Sequence, residues 1–496
     1  MEKLRSLFKT FIETNKQYPV LIALASGLYP LLFYYNANYT LINSWSQFTF
    51  FVALFLMFPT VIFYFIYFLS RKIDLLQKFK NHIFTVLNFS WFGFLLLLIT
   101  KGIKVNFLVV ILLSAFGLGI FFRKHLHKII VLQLFLAAFV SLQLVPDIYT
   151  NFTYSDAWKN QADDIENMVF KTRPNIYLIQ PDGYASFSEL SKPPYNFDNS
   201  DFDTYLNHKK FKSYQNFRSN YYSTLSSNSS LFSMKHHYYN TPNKSSNEVY
   251  NSRDHIVGKN PVLSILKNND YKTFLLLHKS YLLVNRPKLA YDYCNIDYSE
   301  LSFLARGFAI EKEIVEDLTH LVKTNTTTNN FFFIEHMSPG HVTPNKLDSK
   351  GIEGERQIYL DKLKESNLWL KSIISSIEEN DKDALIIILA DHGGFVGLEY
   401  TMETKIKQNN EAVVKSIFTT AFAVKWPEGT APNYDGKLKT NVNLFRVLFT
   451  YLSGDESYLE NLEEDKSYLK IHYGAPFGVY ETIDENGNVV FDRHSN

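Results

Sequence analysis

The sequence predicts two parts: a bundle of five transmembrane helices, then an α/β domain with a mostly parallel central sheet and helices on both faces. Three observations predict this fold class. The chain up to about Pro146 consists of nearly uninterrupted apolar segments, whereas the remainder is mixed and charged. In the remainder, short continuous apolar runs alternate with amphipathic helical stretches. Polar residues with ligand chemistry directly follow several of those runs.

Five apolar segments of the first part are long enough, or nearly long enough, to cross a hydrocarbon layer of about 30 Å as helices. They are Tyr18–Tyr35, Phe48–Leu69, Ile83–Thr100, Val105–Phe122 and Ile129–Leu144. Four spans follow the first one, and no small-residue cleavage site is evident, so we interpret it as an anchor rather than a signal peptide. The predicted domains are a membrane bundle over 1–148, a polar stalk over 149–172 and a catalytic domain over 173–496.

Basic residues predict the orientation of these spans. One set of loops carries Lys3, Arg5, Lys9, Lys16, Arg71, Lys72, Lys78, Lys80, Arg123, Lys124 and Lys128. The opposite loops carry Lys101 and Lys104, and residues 37–47 hold no charge. This asymmetry predicts a multi-pass protein of the cytoplasmic membrane with its N-terminus inside. An odd number of spans then places the C-terminal domain outside, in the periplasm or the extracellular space.

The charge and the cysteine content argue against a nucleic-acid partner and exclude an intrachain disulfide. The formal net charge of +1 gives no reason to expect a nucleic-acid partner. Cys294 is the single cysteine, so an intrachain disulfide is impossible and the exported domain must be held by its own core. The spans contain almost no ionisable residues, which argues against a translocation path through the bundle.

Alternating elements predict the α/β domain. Continuous apolar strands are predicted at Asn175–Gln180, Thr273–Leu277, Asn330–Ile334, Leu385–Ala390 and Phe418–Val424. Helical patterns occupy the stretches near 202–210, 260–268, 308–323 and 356–379. Such alternation is typical of a parallel sheet covered by helices on both faces.

Polar residues follow three of these strands, at the edge where ligands bind in open α/β sheets. The first strand precedes Asp182, the third precedes Glu335 and His336 with His341 shortly after, and the fourth precedes Asp391 and His392. A lone Asp-His-Gly-Gly is most simply a polar turn. Three such endings together instead favour an active site. Carboxylates and an imidazole suit a divalent cation such as Zn²⁺ or Mn²⁺.

A nucleophile for that site is offered by the stretch SNYYSTLSSNSSLFSMKHHYY, residues 219–239. The sequence predicts a helix that begins after Ser223-Thr224, and a hydroxyl at that position is commonly an N-cap. The same position also favours an oxyanion or phosphate through backbone N–H groups and the helix dipole. A bound metal makes an alkoxide accessible there near neutral pH. Both interpretations stay open at this point.

The order NIYLIQPDG, SNYYSTLSS, IEHMSPGH and ILADHGG resembles the membrane-anchored, sulfatase-like branch of the alkaline phosphatase superfamily. That branch includes lipoteichoic acid synthases and lipid A phosphoethanolamine transferases. The resemblance extends to NVNLFRVLFTYLSGD and EDKSYL near the end, which are similar to the family's closing helix and following loop. It implies an alkaline-phosphatase-like fold for the outer domain.

The resemblance also implies roles for individual residues. Asp182 stands where the family has its first acidic metal ligand, and Thr224 where it has a nucleophile that also touches the metal. Asp391 and His392 stand at the remaining ligands. His341 stands where relatives place a histidine that contacts the substrate phosphate or protonates the leaving group, and His336 is a weaker candidate for substrate contact.

Two departures from the family pattern bear on the substrate. No C/S-x-P-x-R pattern follows Thr224, which argues against sulfate ester hydrolysis. The multiple cysteines and the proline-cysteine pair of the phosphoethanolamine transferases are absent, which puts that donor in question without affecting the reaction class.

The resulting hypothesis is a metal-dependent transferase that moves a phospholipid headgroup, or another phosphodiester group, to an envelope glycan or lipid through a phospho-threonine. A phosphodiesterase or phosphatase that uses water as the acceptor is the alternative within the same superfamily. A non-catalytic envelope scaffold is the alternative from another class, although all four expected metal positions carry competent side chains.

Overall fold

The structure is a computed structural model that describes residues 2–14, 16–241, 246, 248–304 and 310–494. The chain divides into two compact units. One comprises the chain up to Tyr154 together with Val284–Arg286 and Ser302–Leu304, and the other comprises the remaining described residues. This division into two units does not test the three domain boundaries expected from the sequence, which therefore stay predictions.

Helices make up the first unit, and all except the charged α1 are largely apolar, as expected from the sequence. They are α1 (Glu2–Glu13), α2 (Pro19–Ile42), α3 (Trp45–Val52), α4 (Phe58–Ser70), α5 (Asp74–Lys101), α6 (Val105–Phe121) and α7 (Leu126–Thr153). A π-helical turn, Ala53–Met57, makes α3 and α4 continuous. Four members, namely α2, the α3–α4 stretch, α5 and α7, are long and apolar enough to cross a membrane. The fourth predicted segment, Val105–Phe122, corresponds to α6, which is apolar but spans 17 residues.

A pair of buried amides joins three helices of this unit. Asn88 of α5 and Gln133 of α7 exchange two side-chain hydrogen bonds of 3.0 Å each. Asn88 Nδ2 also donates to the backbone carbonyl of Ile22 in α2, at 3.3 Å. Because a polar side chain among apolar helices needs an internal partner, this pair fixes the register of the three helices.

A seven-stranded sheet forms the centre of the second unit, in the order β2-β7-β6-β1-β5-β3-β4. Its strands are β1 (Ile176–Pro181), β2 (Lys212–Ser213), β3 (Tyr271–Leu277), β4 (Tyr293–Cys294), β5 (Asn329–His336), β6 (Leu385–Leu389) and β7 (Phe422–Lys425). Strands β6, β1, β5, β3 and β4 pair in parallel, whereas β7 is antiparallel to both β6 and β2. The expectation of a mostly parallel sheet is confirmed, with an antiparallel addition at one edge.

Helices cover both faces of this sheet because its strands are apolar on both sides. Residues of α10, α12 and α16 share one buried cluster with one face, and residues of α9, α13 and α14 share another with the opposite face. The helices of the unit are α8 (Phe187–Leu190), α9 (Ser200–His208), α10 (Thr224–Ser233), α11 (Ser252–Val257), α12 (Pro261–Asn268), α13 (Ile314–Thr324), α14 (Gly351–Asn380), α15 (Glu411–Phe418) and α16 (Leu444–Ser453). The helical pattern near 308–323 begins at residues 308 and 309, which lie outside the described residues.

The strand predicted at Phe418–Val424 begins four residues later than expected. Phe418 instead ends α15, whose apolar positions Val413, Val414 and Ile417 follow a helical spacing. Asn410 caps this helix by accepting a hydrogen bond from the backbone N–H of Ala412, at 3.0 Å. The helical spacing of these apolar residues and the Asn410 cap therefore place Phe418 in α15, although it begins a continuous apolar run in the sequence.

A second sheet, which was not predicted from the sequence, lies in the C-terminal part of the described residues. It is antiparallel and consists of β8 (Ser467–Ile471), β9 (Gly478–Ile483) and β10 (Val489–Arg493). The segment EDKSYL, expected to be a loop, enters β8 at Ser467. Side chains of this sheet share a buried cluster with Val414 and Ile417 of α15, so packing against that helix stabilises the sheet.

The segment expected to be a stalk packs into the second unit from its middle onward. Ile165, Met168 and Phe170 are buried in the core of that unit. Arg446 of α16, which is 1% exposed, donates hydrogen bonds to both carboxylate oxygens of Asp163. This part of the segment is therefore fixed by apolar burial and by a buried ion pair.

Candidate active site

The end of β1 carries Asp182, and backbone contacts lock it against the loop that follows β5. The N–H of Asp182 donates to the carbonyl of His336 at 2.9 Å, and its own carbonyl accepts from Gly340 at 2.8 Å. Gly183 has φ +65°, and a Cβ there would lie 2.2 Å from the carbonyl oxygen of Gly340. Only glycine fits this approach, which places the Asp182 carboxylate at the edge of the sheet.

The neighbouring strand β6 ends at Asp391 and His392, both of which are buried. Asp391 Oδ1 accepts hydrogen bonds of 3.0 Å from the N–H groups of Gly183 and His392. Asp391 Oδ2 is buried and has no hydrogen-bond partner among the described residues. One carboxylate oxygen is thus used for structure, and the other is left for a ligand.

His392 is oriented by a backbone carbonyl. Its Nδ1 lies 2.8 Å from the carbonyl oxygen of Gly393, so Nδ1–H donates and Nε2 keeps a lone pair. Nε2 lies 3.5 Å from Asp182 Oδ1 and 3.4 Å from Asp391 Oδ2. Orientation of a ligating imidazole through its other nitrogen is a common feature of metal sites.

Thr224 is the first residue of α10, and its hydroxyl points at this cluster. Thr224 Oγ1 lies 3.2 Å from Asp182 Oδ1 and 3.4 Å from His392 Nε2. The side chain of Ser223 is the N-cap, because its Oγ accepts from the N–H of Ser226 at 3.4 Å. The Thr224 hydroxyl therefore lies beside the positive end of the helix dipole without serving as its cap.

Asp182, Asp391 and His392 together fit a divalent cation. One ligand atom from each residue lies within 4.8 Å of those of the other two. The donor set of two carboxylates and one neutral imidazole suits Zn²⁺ or Mn²⁺, and the partnerless Asp391 Oδ2 needs a positive partner. Burial, and next the charge of Asp182, raise the pKa of Asp391 to about 6, while His392 opposes the shift. A cation would offset the cost of burying these two acids.

His341 lies beside the cluster, with its ring centroid 5.6 Å from that of His392. Phe395 stacks on His341 with ring centroids 5.0 Å apart and on His392 at 4.9 Å. His341 Nδ1 donates to the carbonyl of Val342 at 2.7 Å, which leaves its Nε2 as an acceptor. Burial, with His392 second, lowers the pKa of His341 to about 4, so its ring is neutral at pH 7.

His336 is not brought to the metal cluster. Successive residues of a strand point to opposite faces, so His336 and Glu335 diverge at the end of β5. The His336 ring is stacked between His278, at 4.4 Å, and Trp369 of α14, at 4.0 Å. Its contact with a substrate stays a prediction that no distance supports.

Glu335 is a site residue to which the sequence reading gave no role. It is 1% exposed, and neither carboxylate oxygen has a hydrogen-bond partner among the described residues. Burial first, and then the charges of Asp182 and Asp391, raise its pKa well above the usual value, while Arg253 opposes the shift. A glutamate directly after the apolar run FFFI of β5 is the sequence signal that points to it.

Comparison with known proteins yields structural similarity alone, since no family model and no curated sequence matches the chain. One similar structure is the C-terminal periplasmic domain of EcEptC from Escherichia coli in complex with Zn, with TM-score 0.41 and 14% identity. The match covers 66% of this chain and 95% of that one.

The lipoteichoic acid synthase LtaP from Listeria monocytogenes has TM-score 0.41 and 14% identity, over 66% of this chain and 91% of that one. The integral membrane protein lipooligosaccharide phosphoethanolamine transferase A from Neisseria meningitidis has TM-score 0.39 and 11% identity. That match covers 87% of this chain and 95% of the other. Phosphoethanolamine transferases and lipoteichoic acid synthases are the two kinds of protein that the motif order resembles.

Proposed function

We propose that this chain is a metal-dependent phosphotransferase that acts on a phosphodiester through a covalent phospho-threonine at Thr224. The observation that carries the proposal is the position of Thr224 Oγ1, 3.2 Å from Asp182 Oδ1 and 3.4 Å from His392 Nε2 at a helix N-terminus. A hydroxyl in such surroundings is held for attack, and the first N–H groups of α10 favour the charge of a phosphoryl group.

The group transfer proceeds in two steps. Thr224 Oγ1 forms a bond to phosphorus, the bond from phosphorus to the leaving alcohol oxygen breaks, and that oxygen takes up a proton. An acceptor hydroxyl then attacks phosphorus, the bond from phosphorus to Oγ1 breaks, and Thr224 regains its proton. The Nε2 lone pair of His341 can hold the travelling proton between these steps, since Nδ1 is occupied by Val342.

Asp182, Asp391 and His392 would hold the cation, with Zn²⁺ and Mn²⁺ as the candidates. When bound, it would lower the pKa of the threonine hydroxyl and offset charge on the phosphoryl oxygens, a contribution commonly worth several kcal/mol. The protein supplies orientation: the Asp391 backbone contacts and the Gly393 carbonyl hold two of the ligands before any ion arrives.

The membrane bundle suggests a lipid-linked donor. We propose a phospholipid or a related phosphodiester as the donor, a lipid or glycan of the envelope as the acceptor, and an extracytoplasmic position for the catalytic unit. The N-terminus then lies in the cytoplasm. The uneven distribution of basic residues supports this orientation, and the apolar helices support residence in the membrane.

The test uses the purified full-length protein in detergent with a phospholipid labelled in its headgroup. Thr224→Ala should lower turnover by at least about 100-fold, as is usual when a nucleophile is removed. Mass spectrometry of the wild type should find a phosphoryl adduct on the peptide that contains Thr224. A labelled glycan or lipid product supports transfer, whereas free labelled headgroup alone assigns the protein to the phosphodiesterases.

Ser223→Ala is the matched control. It removes the N-cap hydroxyl next to Thr224 and should cost about 1 kcal/mol of stability while keeping turnover. Near-wild-type turnover of Thr224→Ala would remove Thr224 from the reaction. Failure of the protein to retain a stoichiometric metal ion after supplementation with Zn²⁺ or Mn²⁺ would favour the scaffold alternative.

A further inference from the structure

A groove in the membrane bundle lies between α5 and α6. It encloses about 490 Å³ and is lined by Phe79, His82, Ile83, Val86, Leu87, Phe116 and Ile120. The two helices approach closely beside it, because a Cβ at Gly119 would lie 2.3 Å from Val86 Cγ2. The groove therefore lies beside a closely packed contact between the two helices and is not a gap between loosely packed ones.

The shape and lining of the groove fit an acyl chain. Its lining side chains are apolar apart from His82, which lies at one end. From Phe79 to Leu87 the groove follows α5 for about 12 Å, at about 1.5 Å per residue. A volume of about 490 Å³ lies within the range of small-ligand sites. An extended hydrocarbon chain fills such a groove without leaving polar groups unpaired.

The His82 end of the groove is basic and carries an unused hydrogen-bond donor. Arg123, just beyond α6, approaches His82 Nε2 with its Nη1 at 2.8 Å. Because a guanidinium only donates, Nε2 accepts and the ring proton resides on Nδ1. His82 Nδ1 is buried and has no partner among the described residues. Lys124 and Lys128 follow Arg123 and are exposed.

We propose that this groove binds one anionic phospholipid, with an acyl chain between α5 and α6 and the phosphate or ester oxygens at Arg123 and His82. The charge of the groove's end complements an anionic headgroup, and basic pockets between membrane helices commonly bind such lipids. The site shares no residue with the metal cluster, so the inference is independent of the proposed reaction. It fits a lipid of the leaflet in which residues 71–82 and 121–128 lie.

The test is native mass spectrometry of the full-length protein titrated with phosphatidylglycerol and, separately, with phosphatidylcholine of the same acyl chains. The wild type should retain one phosphatidylglycerol molecule with at least about fivefold higher affinity, as expected from one basic residue near an anionic headgroup. Arg123→Gln and His82→Phe should each remove that preference. Ile120→Trp, which fills the groove, should weaken the binding of both lipids.

Lys101→Gln is the matched control, since Lys101 is a cation at the opposite end of α5, and it should behave as the wild type. Equal affinity of the wild type for both lipids would overturn the headgroup assignment. Undiminished binding to Ile120→Trp would overturn the groove as the site of the acyl chain. Should Arg123→Gln fail to fold, as judged by circular dichroism and size-exclusion chromatography, His82→Phe decides the headgroup assignment.

Discussion

His237 makes the stability of the second unit sensitive to acid. Its ring is 1% exposed and stacks on Tyr221 with centroids 3.8 Å apart. Nε2 donates to the carbonyl of Ser226, in the first turn of α10, at 2.9 Å, and Nδ1 accepts from the N–H of Tyr239 at 2.9 Å. A ring that donates at one nitrogen and accepts at the other is neutral, and a second proton would face the Tyr239 N–H.

Burial is the main cause that lowers the pKa of His237 from 6.5 to about 3, and the nearby charges of His236, His255 and Lys470 lower it further. The hydrogen bond to Ser226 opposes the shift. Because the folded pKa lies below the unfolded one, the unfolded chain binds more protons between these values. The stability contributed by neutral His237 is therefore complete above pH 6.5 and is lost as the pH falls toward 3. At pH 5 the loss is about 2 kcal/mol.

His237→Gln isolates this contribution, since the amide can still donate to Ser226 but does not titrate. At pH 7.5 the variant should be less stable than the wild type by about 1–3 kcal/mol, because the ring stacking and one hydrogen bond are lost. At pH 5 the difference should narrow by about 2 kcal/mol. Guanidinium unfolding of the full-length protein in detergent, followed by tryptophan fluorescence, measures both differences.

An equal stability difference at pH 7.5 and pH 5 would refute the reasoning, because it would mean that His237 binds no extra proton on unfolding. His320→Gln is the control, since His320 is exposed on α13. That variant should unfold in parallel with the wild type at both pH values.

Two further predictions concern buried charged groups. Glu335→Gln should keep a full complement of metal, measured by elemental analysis at pH 7, because burial raises the pKa of Glu335 and so favours its neutral form, and an amide is neutral as well. Loss of the metal would instead identify Glu335 as an ionised ligand. Arg446→Met should destabilise the protein by about 3 kcal/mol in guanidinium unfolding, because Asp163 loses its partner. Lys364→Met, which breaks an exposed pair with Asp361, should cost under about 1 kcal/mol, and equal costs for the two variants would contradict the role of burial.

The central strands and the apolar helices were predictable because their patterns are local. The runs NIYLIQ and LIIILA are apolar on both faces, and only a sheet covered on both sides buries such runs. Strands β2 and β4 span two residues each, too few for any periodicity to register. Strands β8 to β10 depend on packing against α15, which no window along the sequence contains. Nonlocal contacts therefore determine the parts that the sequence did not predict.

The site was predictable at the ends of strands and less so beyond them. Asp182, Asp391 and His392 follow β1 and β6, which are adjacent and parallel, so their convergence follows from the order of the strands. The stacking of Phe395 on both histidines could not be predicted in this way. Phe395 adopts a φ of +57°, and phenylalanine rarely adopts a positive φ, so its sequence position gave no indication of this conformation. Such a conformation costs about 1–3 kcal/mol, and strain of this kind concentrates at functional sites.

The hydroxyls of Ser223 and Thr224 can each be interpreted as a helix N-cap or as a nucleophile, and the two roles require different hydrogen bonds at the start of α10. If capping were the purpose of the Thr224 hydroxyl, it would accept from an N–H of the first turn; instead Ser223 does so. The Thr224 hydroxyl is buried beside the carboxylate of Asp182 and the imidazole of His392. A valine of the same shape would relieve the helix of a buried polar group, so stability alone gives no reason for threonine at this position. The chemistry of the cluster does give one, because the two carboxylates and the imidazole are placed to hold a cation, and the hydroxyl beside them is then free to act as the nucleophile.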